Sequence, residues 1–311
     1  MPREATNVPV FLVTGANGQI GFELRRSLAP LGRVVALDRA GCDLSRPDEI
    51  RGVVREYRPD VIVNAGGYTA VDKAETEPGL AFAINGVAPG ILAEEARVLG
   101  ALLVHYSTDY VFDGSKDAAY VEADATNPLS VYGQSKLAGE QAIAAAGVQA
   151  LVLRTCWVAG AHGGNFAKTM LRLARERDSL RVIADQFGAP TTAALNADVT
   201  AQIVGRHWLP GDRASFPSGI YHLCAGGETS WHGYATELLR YAAARGVALR
   251  VAPDRIEPLP TAAYPLPAPR PANSRLDTAK LRGTFGIHLP DWRQGVHVLL
   301  DQILPEASHH A

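Results

Sequence analysis

The feature that most constrains this chain is a glycine-spaced turn, Thr14-Gly15-Ala16-Asn17-Gly18-Gln19-Ile20-Gly21, set between an apolar run and a helical pattern. The run is Val10-Phe11-Leu12-Val13, and the helical pattern extends from Gln19 to Pro30. Glycine serves where a backbone turns tightly and where a diphosphate comes close to the main chain. The N-terminus of the following helix offers unpaired N–H donors to such an anion. Three glycines alone also make an ordinary turn; the strand–turn–helix setting is what makes this a dinucleotide loop. Gly15, Asn17, Gly18, Gln19, Ile20 and Gly21 are therefore expected at the cofactor.

The rhythm continues beyond the turn. Arg33–Leu37, Val61–Asn64, Ala101–Tyr106 and Ala150–Arg154 read as strands, and residues 48–57, 79–99 and 133–146 read as helices. The strands are continuously apolar rather than alternating, which indicates burial on both faces and hence a parallel sheet covered by helices. The expected fold is α/β: a Rossmann-type doubly wound parallel sheet with a smaller C-terminal substrate-binding lobe. The expected division is residues 8–155 for the dinucleotide-binding domain and 156–306 for the second lobe, with segments returning to the sheet. Past residue 155 the pattern is less regular, and Pro258–Pro271 reads as a proline-rich extended loop.

At 311 residues the chain is long enough for two lobes. A formal charge of −2 argues against a nucleic-acid surface, which needs a basic stripe. Three cysteines, Cys42, Cys156 and Cys224, are odd in number and widely spaced, which argues against a disulfide framework or zinc site and suits a reducing cytoplasm. Met1–Pro9 has no apolar run of signal-peptide length, no stretch approaches a membrane span, and His309-His310 reads as a tail.

Asp38 follows the second strand, where a carboxylate can accept hydrogen bonds from the adenosine ribose. Arg39 beside it can instead meet a 2′-phosphate, so both NADH and NADPH remain open. Asp43 and Leu44 are placed to flank an adenine, and Ala65-Gly66-Gly67-Tyr68 forms a small-residue passage after the third strand, along which a cofactor can run.

Tyr132-Gly133-Gln134-Ser135-Lys136 is a Y-x-x-x-K that puts both side chains on one helix face. Carbonyl reduction needs a proton on oxygen as hydride arrives at carbon, and a neighbouring ammonium lowers a phenol's pKa toward that task. Lys136 can also hydrogen-bond the nicotinamide ribose. Alone, the motif is a common helix pair; downstream of a dinucleotide loop it is catalytic. Ser107-Thr108-Asp109-Tyr110 follows a buried strand, and a hydroxyl there can hold the substrate carbonyl; Thr108 is favoured over Ser107.

Together these residues resemble the dTDP-4-dehydrorhamnose reductase family of the extended short-chain dehydrogenase/reductase superfamily. The stretches that carry it include Ser107–Gly114, and the segments particular to the family are Val71-Asp72-Lys73-Ala74-Glu75, Asp185-Gln186-Phe187-Gly188-Ala189-Pro190-Thr191 and Arg270-Pro271-Ala272-Asn273-Ser274, within a likeness running from about Val10 to about Leu304. The resemblance implies reduction at C4 of dTDP-4-dehydro-6-deoxy-L-mannose to dTDP-L-rhamnose. Tyr132 would be the proton donor, Thr108 would orient the ketone, and Lys136 would tune Tyr132. It also implies a substrate set of Thr69, Val71, Thr108, Asp109 and Trp157, with Asn165, Lys168 and Arg270 as further contacts. Gly66-Gly67 departs from the Ala-Ala often found in the family. Some relatives use magnesium at a dimer contact. Glu23 suits such a contact, but Ala193-Ala194 stand where a carboxylate would be wanted, so no metal is expected and the chain is expected to act as a monomer or homodimer. Two alternatives remain: another nucleotide-sugar reductase or epimerase, or a cofactor-binding regulatory subunit without turnover.

Overall fold

The computed structural model describes residues 8–304, so the expected histidine tail, most of the leading segment and the last two residues of the expected second lobe lie outside the described residues. In chain order the first part contains β1 (Val10–Thr14), α1 (Gln19–Leu28), β2 (Arg33–Leu37), α2 (Pro47–Tyr57), β3 (Val61–Asn64), α3 (Val71–Ala74), α4 (Pro78–Phe82), α5 (Ala88–Leu99), β4 (Leu102–Thr108), α6 (Val131–Ala146) and β5 (Ala150–Thr155). There follow β6 (Val158–Ala159), α7 (Phe166–Glu176), β7 (Leu180–Ile183), β8 (Phe187–Gly188), β9 (Thr191–Thr192), α8 (Ala193–Ile203), β10 (Gly219–His222), β11 (Thr229–Ser230), α9 (Trp231–Ala244), β12 (Ile256–Leu259), α10 (Ala279–Phe285) and α11 (Trp292–Ile303).

Six strands form one parallel sheet in the order β2-β1-β3-β4-β5-β10. The continuous apolar runs bury both faces, as the sequence indicated. Phe11, Val13, Val61, Val63, Leu102 and Val104 point to the layer holding α1, α8 and α10. Leu12, Ile62, Leu103 and Val152, one residue out of phase, point to the layer of α2, α5 and α6. The strand order reverses direction between β1 and β3, and such a switch point opens a crevice at the strands' C-terminal ends. A separate apolar cluster unites α7, α9 and α11 with β7 and β12 in the second half of the chain.

Three local expectations are corrected. The helix expected over 79–99 is split: α4 passes through a wider, π-type turn at Ala83–Val87 before α5 begins. The fourth strand runs on to Thr108, so Ser107 and Thr108 are its last residues and not part of the following loop. The proline-rich stretch opens in a strand, since Ile256–Leu259 pairs in parallel with Leu180–Ile183. Pro258 is tolerated because this ladder has two strands and an exposed edge.

Candidate active site

The Gly15 loop leaves β1 at the C-terminal edge of the sheet. Gly15 has φ +69°, and a Cβ there would come within 2.5 Å of the Gly66 backbone, so the loop after β1 and the passage after β3 lie in direct contact. The N–H of Gly18 donates to the Gly15 carbonyl at 2.9 Å and closes the turn. No side chain caps α1, and its first turn carries no acidic residue, which leaves its N–H groups available to an anion. Asp38 accepts from the N–H groups of Ala40 and Gly41 and from Asn17 Nδ2 at 2.9 Å, which ties the ends of β1 and β2 together. Arg39 reaches Asp43 at 3.4 Å, and its side chain is 77% exposed. Hydrogen bonds from Ser45, with Arg39 alongside, hold the Asp43 carboxyl below its ordinary range.

Tyr132 lies in the first turn of α6. Ser130 caps that helix by accepting from the Gly133 N–H at 3.1 Å. Any side chain at Gly133 would strike the Tyr110 carbonyl, with a Cβ only 2.2 Å away, so glycine there lets the helix start press against the segment after β4. The Tyr110 and Tyr132 rings accordingly meet edge to face at 5.5 Å. Burial pushes the Tyr132 phenol up to about 12, while the neighbouring Thr108 hydroxyl pulls the other way. Lys136 is buried, and Nζ donates to the Tyr106 carbonyl at 2.5 Å and lies 3.2 Å from His105 Nε2. Burial brings its pKa down to about 8, against the Glu140 charge, which raises it. For both groups desolvation is the largest influence. Asp109, 2% exposed, is pushed by burial up to about 6, with Ser274 and Thr108 opposing.

One cavity of about 1270 Å³ joins these groups. That exceeds the roughly 300–1,000 Å³ of ordinary small-molecule sites and leaves room for two ligands side by side. Its walls include Gly15, Asn17, Gly18, Gln19, Ile20, Asp38, Arg39 and Asp43 at one end, and Thr108, Asp109, Tyr132, Lys136 and Trp157 at the other. Ala65, Gly66, Gly67, Thr69 and Val71 lie between them. Trp157 has φ +47°, an uncommon conformation for a bulky residue. Its ring stacks on Trp231 with centroids 3.7 Å apart, making an aromatic wall.

Six expected contacts are not on that wall. Gly21 is buried beneath the loop. Leu44 belongs to the core and its side chain backs Gly66. The Tyr68 hydroxyl donates to Glu77 at 2.6 Å. Asn165 caps α7 and donates to Gln19 Oε1 at 2.9 Å and the Gly160 carbonyl at 2.8 Å. Lys168 Nζ ties the Ala161 and Gly163 carbonyls, and Arg270 pairs with Asp72 at 2.8 Å. Asn165 and Lys168 thus secure a strap, Gly160–Gly164, against the glycine loop. Glu23 pairs with Arg26 and lies outside this cavity.

The structure also brings in residues that sequence reasoning passed over. Asn85, in the π-type turn, clasps the Tyr68 backbone with both ends of its amide and donates to Ser135 Oγ, so it fixes the passage beside the cavity. Trp231 arrives from α9, more than seventy positions from its stacking partner Trp157. No local spacing could have signalled either, because both depend on the docking of distant elements.

The family model described as the RmlD substrate binding domain matches residues 10–304. A dTDP-4-dehydrorhamnose reductase of Burkholderia thailandensis is 50% identical over 295 residues, 95% of this chain and 99% of that protein. One from Escherichia coli K12 is 48% identical over 94% of this chain and 97% of its own length. Among solved structures, a dTDP-4-dehydrorhamnose reductase from Bacillus anthracis in complex with NADP superposes with a TM-score of 0.86 at 32% identity, covering 95% of this chain and 100% of that one. A UDP-glucose 4-epimerase of Thermus thermophilus, 20% identical with a TM-score of 0.76, shares the fold. With a family model matched almost from end to end and half of its residues shared with a full-length relative, the chain belongs to the dTDP-4-dehydrorhamnose reductase family.

Proposed function

We propose that this protein, working in the cytoplasm, reduces dTDP-4-dehydro-6-deoxy-L-mannose to dTDP-L-rhamnose. The observation that carries the reading is that the glycine loop and the Thr108, Tyr132 and Lys136 side chains line one cavity wide enough for a dinucleotide and a nucleotide sugar together. Family membership supports the substrate, since the relatives are named for that reaction.

The loop fits a dinucleotide: its backbone is bare where a Cβ would collide with Gly66, and the uncapped start of α1 faces the same cavity. When bound, the reduced nicotinamide supplies the hydride. Gly15, Asn17, Gly18, Gln19 and Ile20 would hold the diphosphate region, and Ala65, Gly66 and Gly67 the stretch beyond it. Asp38 would accept from the adenosine ribose and Arg39 would meet a 2′-phosphate, so the reading accommodates NADH and NADPH; the Bacillus anthracis relative is described with NADP. Gly21, Leu44 and Asn165 act from behind the wall.

Tyr132 holds a proton firmly at neutral pH and would deliver it to the carbonyl oxygen as negative charge develops there. Thr108 would orient the ketone, and the Lys136 ammonium would stabilise the phenolate left behind. Thr69, Val71, Asp109 and the Trp157–Trp231 wall would bound the sugar. In this reading residues 8–155 form the dinucleotide lobe and the later residues mainly the substrate lobe, with α8, β10 and α10 returning to the sheet.

The test is a panel of dTDP-, GDP- and UDP-linked 4-keto sugars offered with NADPH or NADH, followed by loss of reduced-nicotinamide absorbance and by product analysis. Turnover of the dTDP compound to dTDP-L-rhamnose is expected. Consumption of a GDP or UDP sugar but not the dTDP compound would overturn the substrate, and cofactor binding without any turnover would favour a regulatory subunit.

A further inference from the structure

Thr14, Asn64 and His105 stand in register on three adjacent parallel strands, β1, β3 and β4, and each is at most 1% exposed. Thr14 Oγ1 donates to Asn64 Oδ1 at 2.7 Å, which turns the amide nitrogen toward His105 Nδ1 at 3.0 Å. With the amide in this orientation its nitrogen has only hydrogens to offer, so Nδ1 accepts, and a neutral ring then carries its one proton on Nε2. Nε2 lies 3.2 Å from Lys136 Nζ, while Nζ itself donates to the Tyr106 carbonyl. A ring N–H facing an amine finds an acceptor only in the amine's lone pair, and an ammonium has none.

We propose that His105 is a positioning residue for Lys136: the Thr14–Asn64–His105 ladder aims an Nε2–H at the lysine and thereby favours its neutral amine over its ammonium. The surroundings agree. Burial, and then the lysine's own charge, keep the imidazole neutral by pushing its pKa well down. Burial also acts on Lys136 in the same sense as the ladder, and Glu140, one turn further along α6, acts against it. Glu140 is spoken for by Arg154 of β5 and accepts the Ser107 hydroxyl of β4. Tyr132 on α6 lines the same cavity; Tyr106 of β4 turns only its carbonyl to the lysine, its hydroxyl bonding Thr200 of α8 on the other face of the sheet; and Asn85 and Ser135, at the packing of the π-type turn on α6, are uncharged. Lys136 is on this view a residue whose charge is conditional, poised to lose its proton as the pH rises.

The direct test is ¹⁵N NMR of the full-length protein with labelled histidine, assigning His105 by comparison with the His105→Gln variant. The expected spectrum shows the ring proton on Nε2 and a bare Nδ1 at neutral to alkaline pH; a proton on Nδ1 would overturn the proposal. The kinetic arm rests on the reductase reading, in which the ammonium supports Tyr132, so kcat/KM falls as Lys136 deprotonates. His105→Phe removes the donor, and the alkaline limb should then move upward by about one pH unit, a tenfold gain in the lysine's proton affinity. His105→Gln, which retains an N–H donor, should bring the limb back toward the wild-type position. A limb that stays in place or moves downward in His105→Phe would refute the inference, since loss of a polar neighbour alone makes the ammonium harder to keep. Absence of turnover in the wild type would sink the reductase reading, while the ring-proton measurement would still decide this one.

Discussion

The ion pair between Glu140 of α6 and Arg154 of β5 lies between helix and sheet, with side chains only 2% and 3% exposed. Arg154 Nε and Nη2 reach the two carboxylate oxygens at 2.9 and 2.6 Å, Ser107 Oγ donates at 2.5 Å, and the guanidinium lies 5.0 Å from the centre of the Phe112 ring. Water reaches neither charge, so each is sustained by the other. Glu140→Leu leaves a buried guanidinium without a counter-charge and should cost about 3–5 kcal/mol, and Arg154→Met should cost about as much through the orphaned carboxylate. Replacing both removes both orphans. The double variant leaves only the Ser107 hydroxyl unpaired, a loss of about 1–3 kcal/mol. It should therefore be more stable than either single variant, with a coupling of at least about 3 kcal/mol. Urea unfolding of the four full-length proteins at neutral pH measures this, provided the m-values agree. A double variant destabilised by the sum of the singles would refute the reasoning, because the two charges would then be acting independently.

Tyr132→Phe should keep cofactor affinity and lower kcat roughly a hundred- to ten-thousandfold, measured by steady-state kinetics beside a binding titration; unchanged turnover would remove Tyr132 from the chemistry. Asp38→Ala should reduce kcat/KM for NADH by about tenfold, the worth of one ribose hydrogen bond to a charged group, and affect NADPH less. An equal loss with both cofactors would mean that Asp38 serves only to tie Asn17, Ala40 and Gly41. For Asp109 the folded-state pKa lies near 6, above its ordinary value of 3.8, so the folded chain binds the extra proton between them. Stability from this group is complete below about pH 4 and is lost as pH rises through 6, by about 3 kcal/mol. Asp109→Asn should flatten that part of the stability–pH profile relative to wild type, as urea midpoints across the range would report; parallel profiles would show that burial does not raise this carboxyl.

The parallel sheet was legible because strands buried on both faces must be apolar at every position, and Val10–Val13 and Val61–Val63 are. The turn at Gly15, the helix start at Gln19 and the carboxylate at Asp38 were legible as one group because they lie within one β–α–β unit, and they line one end of the cavity. Tyr132 and Lys136 were readable for the same reason, one helical turn apart. The break at Ala83–Val87 was not, since nothing in an apolar helical pattern announces a widened turn. Nor was the diversion of Lys168 to the Ala161 and Gly163 carbonyls or of Arg270 to Asp72, where long cationic side chains are satisfied by neighbours and not by the cavity.

By itself, then, the sequence determined the sheet, the glycine turn after β1 and the placing of Tyr132 and Lys136 on one helix face, all set by short-range periodicity and turn chemistry. Only the tertiary structure decided which side chains reach the cavity and in what electrostatic condition. Trp231 meets Trp157, Asn85 holds the Tyr68 backbone, and His105 faces Lys136 between β4 and α6 because elements far apart in the chain dock there. The pKa values of Tyr132 and Lys136 follow from that docking as well, since desolvation is a property of the packed interior and not of residue order.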